Sequence, residues 1–459
     1  MAQQRPAPAT VSAEGLTARL AGQAAGLRYD ALPAAVRTVA RQCLLDWFGV
    51  TIAGATEGTG TLLLAELEEA GGKPQASVVG HRLRTSAYQA AMINGTFSHA
   101  LDYDDVHPAM IGHPSVPVAP VVLALSERDG HDGRAMLAAF VAGLETECRS
   151  GRFLTREHYE RGFHSTGISG TVGAAAAASN LLGLDTDRTA VALGIAATQA
   201  AGLKSMFGTM CKPLHAGKAA ANGLLAAQLA RRGYTARPDA LECAQGLADT
   251  HVEAPDAAAA LEGFGETFLT PGVLFKYHAA CYGTHASIEA MRQAVEAGLD
   301  PGRVERVEIH VPTANLRMCD IQEPSTGLEA KFSLRHTAAM ALAGRDTASI
   351  DAYTAESCAE PDLVALRRRM RVVGEADLEF ATSDVVVTLG DGVTHRLRGD
   401  ASKPDVDLER QGRRLAEKFL ALTTPVIGEA RARSLLDRLQ HVEDVANAGE
   451  LMSLCRPEG

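Results

Sequence analysis

No C-x-x-C pair occurs in this sequence, and its eight cysteines (Cys43, Cys148, Cys211, Cys243, Cys281, Cys319, Cys358 and Cys455) keep no paired spacing. That excludes a structural zinc site or a disulfide framework and leaves a reduced, cytoplasmic protein as the plain expectation. Basic charge is also scarce, with 44 Lys and Arg against 55 Asp and Glu for a net charge of -11. A polyanionic partner needs clustered cations, so no nucleic-acid role is expected. No segment approaches the roughly 18 uninterrupted apolar residues of a membrane span, and no membrane partner is expected. The polar, Pro/Ala-rich start MAQQRPAPATVSAEG lacks the basic and apolar regions of an export signal. A nucleophile elbow is missing, since 167-GISG-170 has the wrong spacing for G-x-S-x-G. A phosphate loop fails too, because Gly217-Lys218 has neither the earlier Gly nor a following Ser or Thr. No fixed repeat period points to a solenoid.

What is present is helical. The 459 residues are 46% hydrophobic, enough for a large core and, by length, two or three domains. Residues 1 to about 15 read as a flexible arm. In 33–55 the apolar Val36, Val39, Ala40, Cys43, Leu44, Trp47 and Phe48 recur at three-to-four spacing between Pro33 and Gly54, predicting one buried-face helix. Similar patterns predict helices at about 58–71, 85–101, 115–129, 133–150, 166–182, 187–202, 215–232 and 238–247.

Past the Gly/Pro-containing connection at 263–276 the texture changes. β-branched runs at 303–312, 370–375, 384–392 and 394–399 predict strands, the last two forming a hairpin at Asp391-Gly392. Helices are expected between them at about 284–297, 328–343 and 360–369, and after Pro404 at 406–421, 428–439 and 443–455. The fold class is therefore mainly α: a large helical domain, 1–270, then an inserted smaller α+β domain, 271–404, then C-terminal helices, 405–459, returning to the helical domain.

Four stretches carry chemistry. In 98-SHALDYDDVHPAMIGHPSVPVAP-120, three acids (Asp102, Asp104, Asp105) and three histidines (His99, His107, His113) gather among turn residues, with Ser115 placed to cap the next helix. A histidine near a helix start and carboxylates suits acid–base work. In 162-GFHSTGISGTVGAAAAAS-179, His164 precedes a small-residue helix that Ser165 or Thr166 can cap. In 207-FGTMCKPLHAGKAAANG-223, Lys212 before Pro213 reads as an extended loop lysine at a helix start, suited to a carboxylate-bearing ligand, with His215 just after. In 275-FKYHAACYGTHASIEAM-291, Lys276, His278, Cys281 and His285 crowd the domain junction. Cys281 there suits a small buried thiol better than half a metal site.

Together, HALDYDD…GHPS, GFHSTG…GAAAAAS, GTMCKPLHAGKAAANG, FK…C…TH and 327-GLEAKFSLRHTAAMALAG-344 resemble the MmgE/PrpD family over nearly the whole chain. This family includes 2-methylcitrate dehydratases, cis-aconitate decarboxylases and an iminodisuccinate epimerase. The resemblance implies a helical domain built from both chain ends, a smaller α+β lid domain, a cleft between them and a homodimer. It places the active-site pattern on Asp102, His113, His164, Lys212 and Lys276, with His107 in the same loop; the expected catalytic residues are Asp102, His113, His164 and Lys212, and the expected substrate-binding ones Lys276, His107, His215 and Cys281, with Asp104 and Asp105 as framework. The implied chemistry is proton transfer next to a carboxylate of a small di- or tricarboxylate, with His113 or His164 as base or acid and lysines holding carboxylates. No cofactor or metal is expected. Val106 departs from the Thr of decarboxylase-like members and the Ser of the epimerase-like member. The expected activity is a lyase, foremost dehydration of a 2-methylcitrate- or citrate-like acid. The alternatives are cis-aconitate decarboxylation, epimerisation of a dicarboxylate such as iminodisuccinate, or an idle metabolite-binding protein.

Overall fold

Helix Ala34–Gly54 shows why the first part of the chain is a helical core: from Gln42 to Gly54 every side chain is buried, so the helix is covered all round rather than along one stripe. In this computed structural model the described residues are 15–457, and the expected N-terminal arm and the segment read for an export signal lie outside them apart from Gly15. The described chain forms two units. The first comprises residues 15–101, 106–273 and 426–457; the second comprises 102–105 and 274–425.

In the first unit the small-residue helix Ser165–Leu181 is central, packed by Gly133–Leu154 and Cys211–Arg231. Its alanines and glycines let backbones approach closely: a side chain at Gly223 would stand 2.5 Å from Ala174 Cβ. Most helices lie within a few residues of their expected positions, and three differ. The segment 238–247 forms turns instead of a helix; Gly246 and the left-handed Gln245 (φ 60) break it, and only the short Leu247–His251 follows. The helix expected over 187–202 stops at Ala197, leaving 198–203 irregular so that Leu203 bridges Phe163. Lys212 and Pro213 lie inside the first turn of Cys211–Arg231, not in an extended loop; a first-turn N–H needs no intrahelical acceptor, so proline fits there. A short hairpin, β1 (Ala76–Ser77) and β2 (Arg84–Thr85), was not anticipated.

In the second unit, strands β3 (Val304–Pro312), β4 (Met370–Glu375), β5 (Thr382–Leu389) and β6 (Thr394–Asp400) form one sheet in the order β4-β3-β5-β6, parallel only between β3 and β4. A register shift between Val304 and Arg306 explains why the apolar residues of β3 keep no perfect period: the extra residue resets the alternation, after which Val307, Ile309 and Val311 share the buried face. The hairpin at Asp391-Gly392 forms, with Gly392 at φ 83. Helix Tyr282–Glu296 packs on β5 and β6. The expected helix at 328–343 is two, Gly327–Lys331 and Leu334–Leu342, because the Ser333 side chain accepts from His336 N and starts a second helix. Helix Leu408–Ile427 stays in the second unit as far as Pro425, so the unit ends later than the 404 read from the sequence. Glu429–Gln440 and Ala448–Leu454 belong to the first unit. Among the described residues no helix is long and apolar enough to cross a membrane, and all eight cysteines are free thiols.

Candidate active site

Four imidazoles stand in a row in the first unit. His99 ends helix Ala87–His99, and its ring lies 4.5 Å from that of His113 in an edge contact. On its other side it stacks at 5.7 Å on His164, whose Nδ1 is 3.0 Å from His215 Nδ1. A nitrogen pair this close holds one proton between two rings. Phe207 meets the His164 ring edge-on at 5.0 Å, and the Lys212 ammonium lies 5.4 Å from the Phe207 centroid. Burial first, then the charges of His99, Lys212, His113 and His215, hold the His164 pKa well below its usual value. Burial and Lys212 lower that of His215. The pair is neutral near pH 7 and sits beside a fixed cation.

Local chain geometry sets this row. His164 N donates to Gly202 O, and Gly202 takes φ 149; a side chain there would press within 3.3 Å of both His164 and His215. The early end of the helix at Ala197 makes that approach possible. Neither Ser165 nor Thr166 caps its own helix. Thr166 Oγ1 instead accepts from His113 N at 3.1 Å, and Ser165 Oγ pairs with His158 Nε2 at 2.8 Å. Ser115, expected as a cap, is the first residue of helix Ser115–Asp129 after Pro114.

The loop leading to His113 is pinned by His107. Its Nδ1 accepts from Ala109 N at 3.0 Å, so Nε2 carries the proton donated to Leu269 O at 2.9 Å. Burial pushes its pKa down to about 4, and the ring stays neutral. With both nitrogens spent on backbone, His107 is a loop fastener. Close by, Ile111 is held at φ 50, a left-handed conformation that β-branched residues avoid at a cost of about 1–3 kcal/mol.

The second unit contributes an acid–lysine pair. Asp102, also left-handed at φ 50, accepts from the Lys276 ammonium through its carbonyl at 2.5 Å and its Oδ1 at 3.0 Å. Burial works to lower the Lys276 pKa, but the Asp102 and Asp104 carboxylates outweigh it and hold the ammonium above its ordinary value. Lys418, which sequence reasoning missed, clamps both partners' chains: its buried ammonium donates to Tyr103 O at 2.8 Å and Lys276 O at 2.9 Å and lies 3.9 Å from the Tyr103 ring centroid. A signal existed, since Lys418 falls on the apolar stripe of Leu415, Phe419 and Leu422 where a lysine has no place without a buried partner. His278 sits between Thr347 Oγ1 at 2.8 Å and Glu289 Oε1 at 2.9 Å, with Arg414 holding Glu289. Cys281 is buried at the start of Tyr282–Glu296, where the hydrogen bond with Cys319 lowers its thiol pKa; its nearest business is Cys319.

Of the residues read from the sequence, His113, His164, His215 and Lys212 are thus brought together in the first unit, and Asp102 and Lys276 in the second. His107 and Cys281 are bound into the framework of their own units; His99, noted in its stretch but given no role, joins the imidazole row, and Phe207 joins it unanticipated.

In the first unit, then, a row of imidazoles stands beside a first-turn lysine, and in the second a buried lysine is paired with a partly exposed aspartate. The chain belongs to the MmgE/PrpD family: residues 18–260 match its N-terminal domain and residues 278–443 its C-terminal domain. It is similar to the cis-aconitate decarboxylase of Mus musculus, 26% identical with 96% of this chain and 94% of the relative covered. The cis-aconitate decarboxylase of Homo sapiens is 28% identical over 82% of this chain and 80% of its own. That of Aspergillus terreus is 25% identical, with 96% of each covered.

Proposed function

We propose that this protein is a carboxy-lyase that decarboxylates cis-aconitate or a close tricarboxylate without a cofactor. The observation that carries the reading is the neutral pair of buried His164 and half-buried His215 beside Lys212; the names of the relatives support the substrate class.

In such a substrate, cleavage of the C–C bond to the carboxylate on the saturated carbon releases carbon dioxide. The freed electron pair forms a new C=C bond, the old double bond shifts its pair to the carbon next to another carboxylate, and that carbon takes a proton. The intermediate is an enolate-like anion. Cations near its carboxylates lower its energy most where water is excluded. In this reading Lys212, beside the imidazoles of its own unit, holds a carboxylate. His113 or His164 delivers the proton. A bound trianion offsets the burial and like charge that keep His164 neutral in the empty site, so the substrate itself draws a proton onto the ring that needs it.

A second reading is dehydration of a 2-methylcitrate- or citrate-like acid, since Val106 removes the hydroxyl that decarboxylase-like members carry as Thr without supplying a dehydratase-type loop in its place. The same imidazoles would then accept the α-proton. Incubation of the full chain with cis-aconitate, citrate and 2-methylcitrate in deuterated water, followed by proton NMR, separates the two. A decarboxylated dicarboxylate with one deuterium on its new methylene is the expected result. A new olefin from citrate or 2-methylcitrate without carbon dioxide release would replace it with the second reading. No product and no exchange with any acid would overturn both and leave a binding protein.

A further inference from the structure

A cavity of about 300 Å³ lies in the first unit at the C-terminal end of the described chain, lined by Arg82, Arg431, Ser453, Arg456 and Pro457. None of these is an active-site residue. Three guanidiniums around one small space are unexpected in a chain of net charge -11. Each carries only donors, and like charges gathered this way repel unless something between them is negative.

Among the described residues, the surrounding groups do not supply that charge. Glu127, the nearby carboxylate, is committed: it pairs with Arg84 and accepts from Ser77 N at 2.6 Å and Ser77 Oγ at 2.7 Å. Arg431 donates to Arg456 O at 2.6 Å, and Arg456 reaches Ser77 Oγ only at 3.5 Å. Among the described residues, none of Arg82, Arg431 and Arg456 is ion-paired, and Arg456 Nε is buried with no hydrogen-bond partner. A buried guanidinium donor left unmet is costly, so an occupant that satisfies it is strongly favoured. The walls are also fixed. Gly80 N donates to Cys455 O at 3.0 Å, tying the β1–β2 turn to the end of helix Ala448–Leu454, and Arg431 holds the next carbonyl from helix Glu429–Gln440.

We propose that this cavity is a second ligand site, for a compact polyanion with oxygen acceptors: inorganic phosphate or a di- or tricarboxylate. Guanidinium forks match the paired oxygens of either group, and three of them select at least two negative charges over one. Occupancy links the β1–β2 turn, helix Glu429–Gln440 and the segment after Leu454, so it stabilises the first unit.

The test is isothermal titration of the full chain with inorganic phosphate and, separately, citrate, with ionic strength balanced by chloride, on wild type and on R82Q/R431Q. Saturable binding weakened about 10-fold or more in the double variant is expected, with a ligand-dependent rise in Tm that the variant lacks. Phosphate binding of this kind identifies phosphate as the occupant, and citrate binding alone identifies a carboxylate. Arg82 is exposed and makes no hydrogen bond, so R82Q alone, expected to weaken binding at least threefold, serves if the double variant does not fold. No saturable binding of either anion, or binding as strong in R82Q or R82Q/R431Q as in wild type, overturns the proposal.

Discussion

Replacing His107 by Gln should make the protein more tolerant of acid while making it slightly less stable at neutral pH. In the folded state the ring is neutral because burial holds its pKa at about 4, whereas in the unfolded chain it titrates near 6.5. Between those values the unfolded state binds the extra proton, so stability rises with pH across that window. The contribution is fully present above pH 6.5 and is lost as pH falls toward 4. The full shift is worth about 3 kcal/mol, and about 2 kcal/mol of it disappears between pH 7 and pH 5. Gln keeps a donor within reach of Leu269 O but gives up the acceptor for Ala109 N, which costs about 1 kcal/mol at neutral pH. Urea unfolding followed by far-ultraviolet circular dichroism at pH 7 and pH 5 measures both effects. Other buried imidazoles titrate in both proteins and cancel in the comparison. The variant should lose about 2 kcal/mol less than wild type on acidification, so that its deficit at pH 7 becomes parity or a small advantage at pH 5. Parallel losses in the two proteins would refute the reasoning.

Other perturbations separate chemistry from framework. His164→Gln should lower kcat on the active acid by roughly 10²–10⁴-fold with an unchanged circular dichroism spectrum; steady-state kinetics showing less than a tenfold loss would remove His164 from the proton path. Gly202→Ala puts a side chain within 3.3 Å of His164 and His215 at φ 149, and should cost about 1–3 kcal/mol by thermal unfolding together with most of the activity. Lys418→Met leaves the buried Tyr103 and Lys276 carbonyls short of a donor, a loss of about 1–3 kcal/mol each way they fail to find another; kcat should fall because Asp102 and Lys276 lose their anchor, and normal turnover in a folded variant would contradict that role.

The helical architecture was legible because its apolar spacing is long and regular, as in 34–54, and the hairpin because Asp391-Gly392 is a strong local turn signal. The failures are equally local. At 238–247 an apolar pattern met Gly246 and tertiary contacts chose turns. At Lys212 the bias of a residue before proline away from helix lost to a first turn that asks no N–H of Pro213. Residue types named most of the chemical groups, but not their assignment: that His107 spends both nitrogens on backbone depends on Leu269, far along the chain, and no spacing reports it. Lys418 shows the intermediate case, visible as an anomaly on an apolar stripe but without a partner until the fold supplies two carbonyls.

The membership of residues 102–105 in the second unit has a bearing on how the chain is made. Asp102 precedes its partner Lys276 by 174 positions, and Tyr103 precedes Lys418 by 315. At about 5–20 residues per second of synthesis, these four residues leave the ribosome roughly 10–60 s before the groups that will hold them exist. The helices on either side can close during that interval; this segment cannot. Its run of carboxylates is suited to waiting in water, and completion of the second unit is therefore a late event gated by translation, set by the arrival of one lysine and then another.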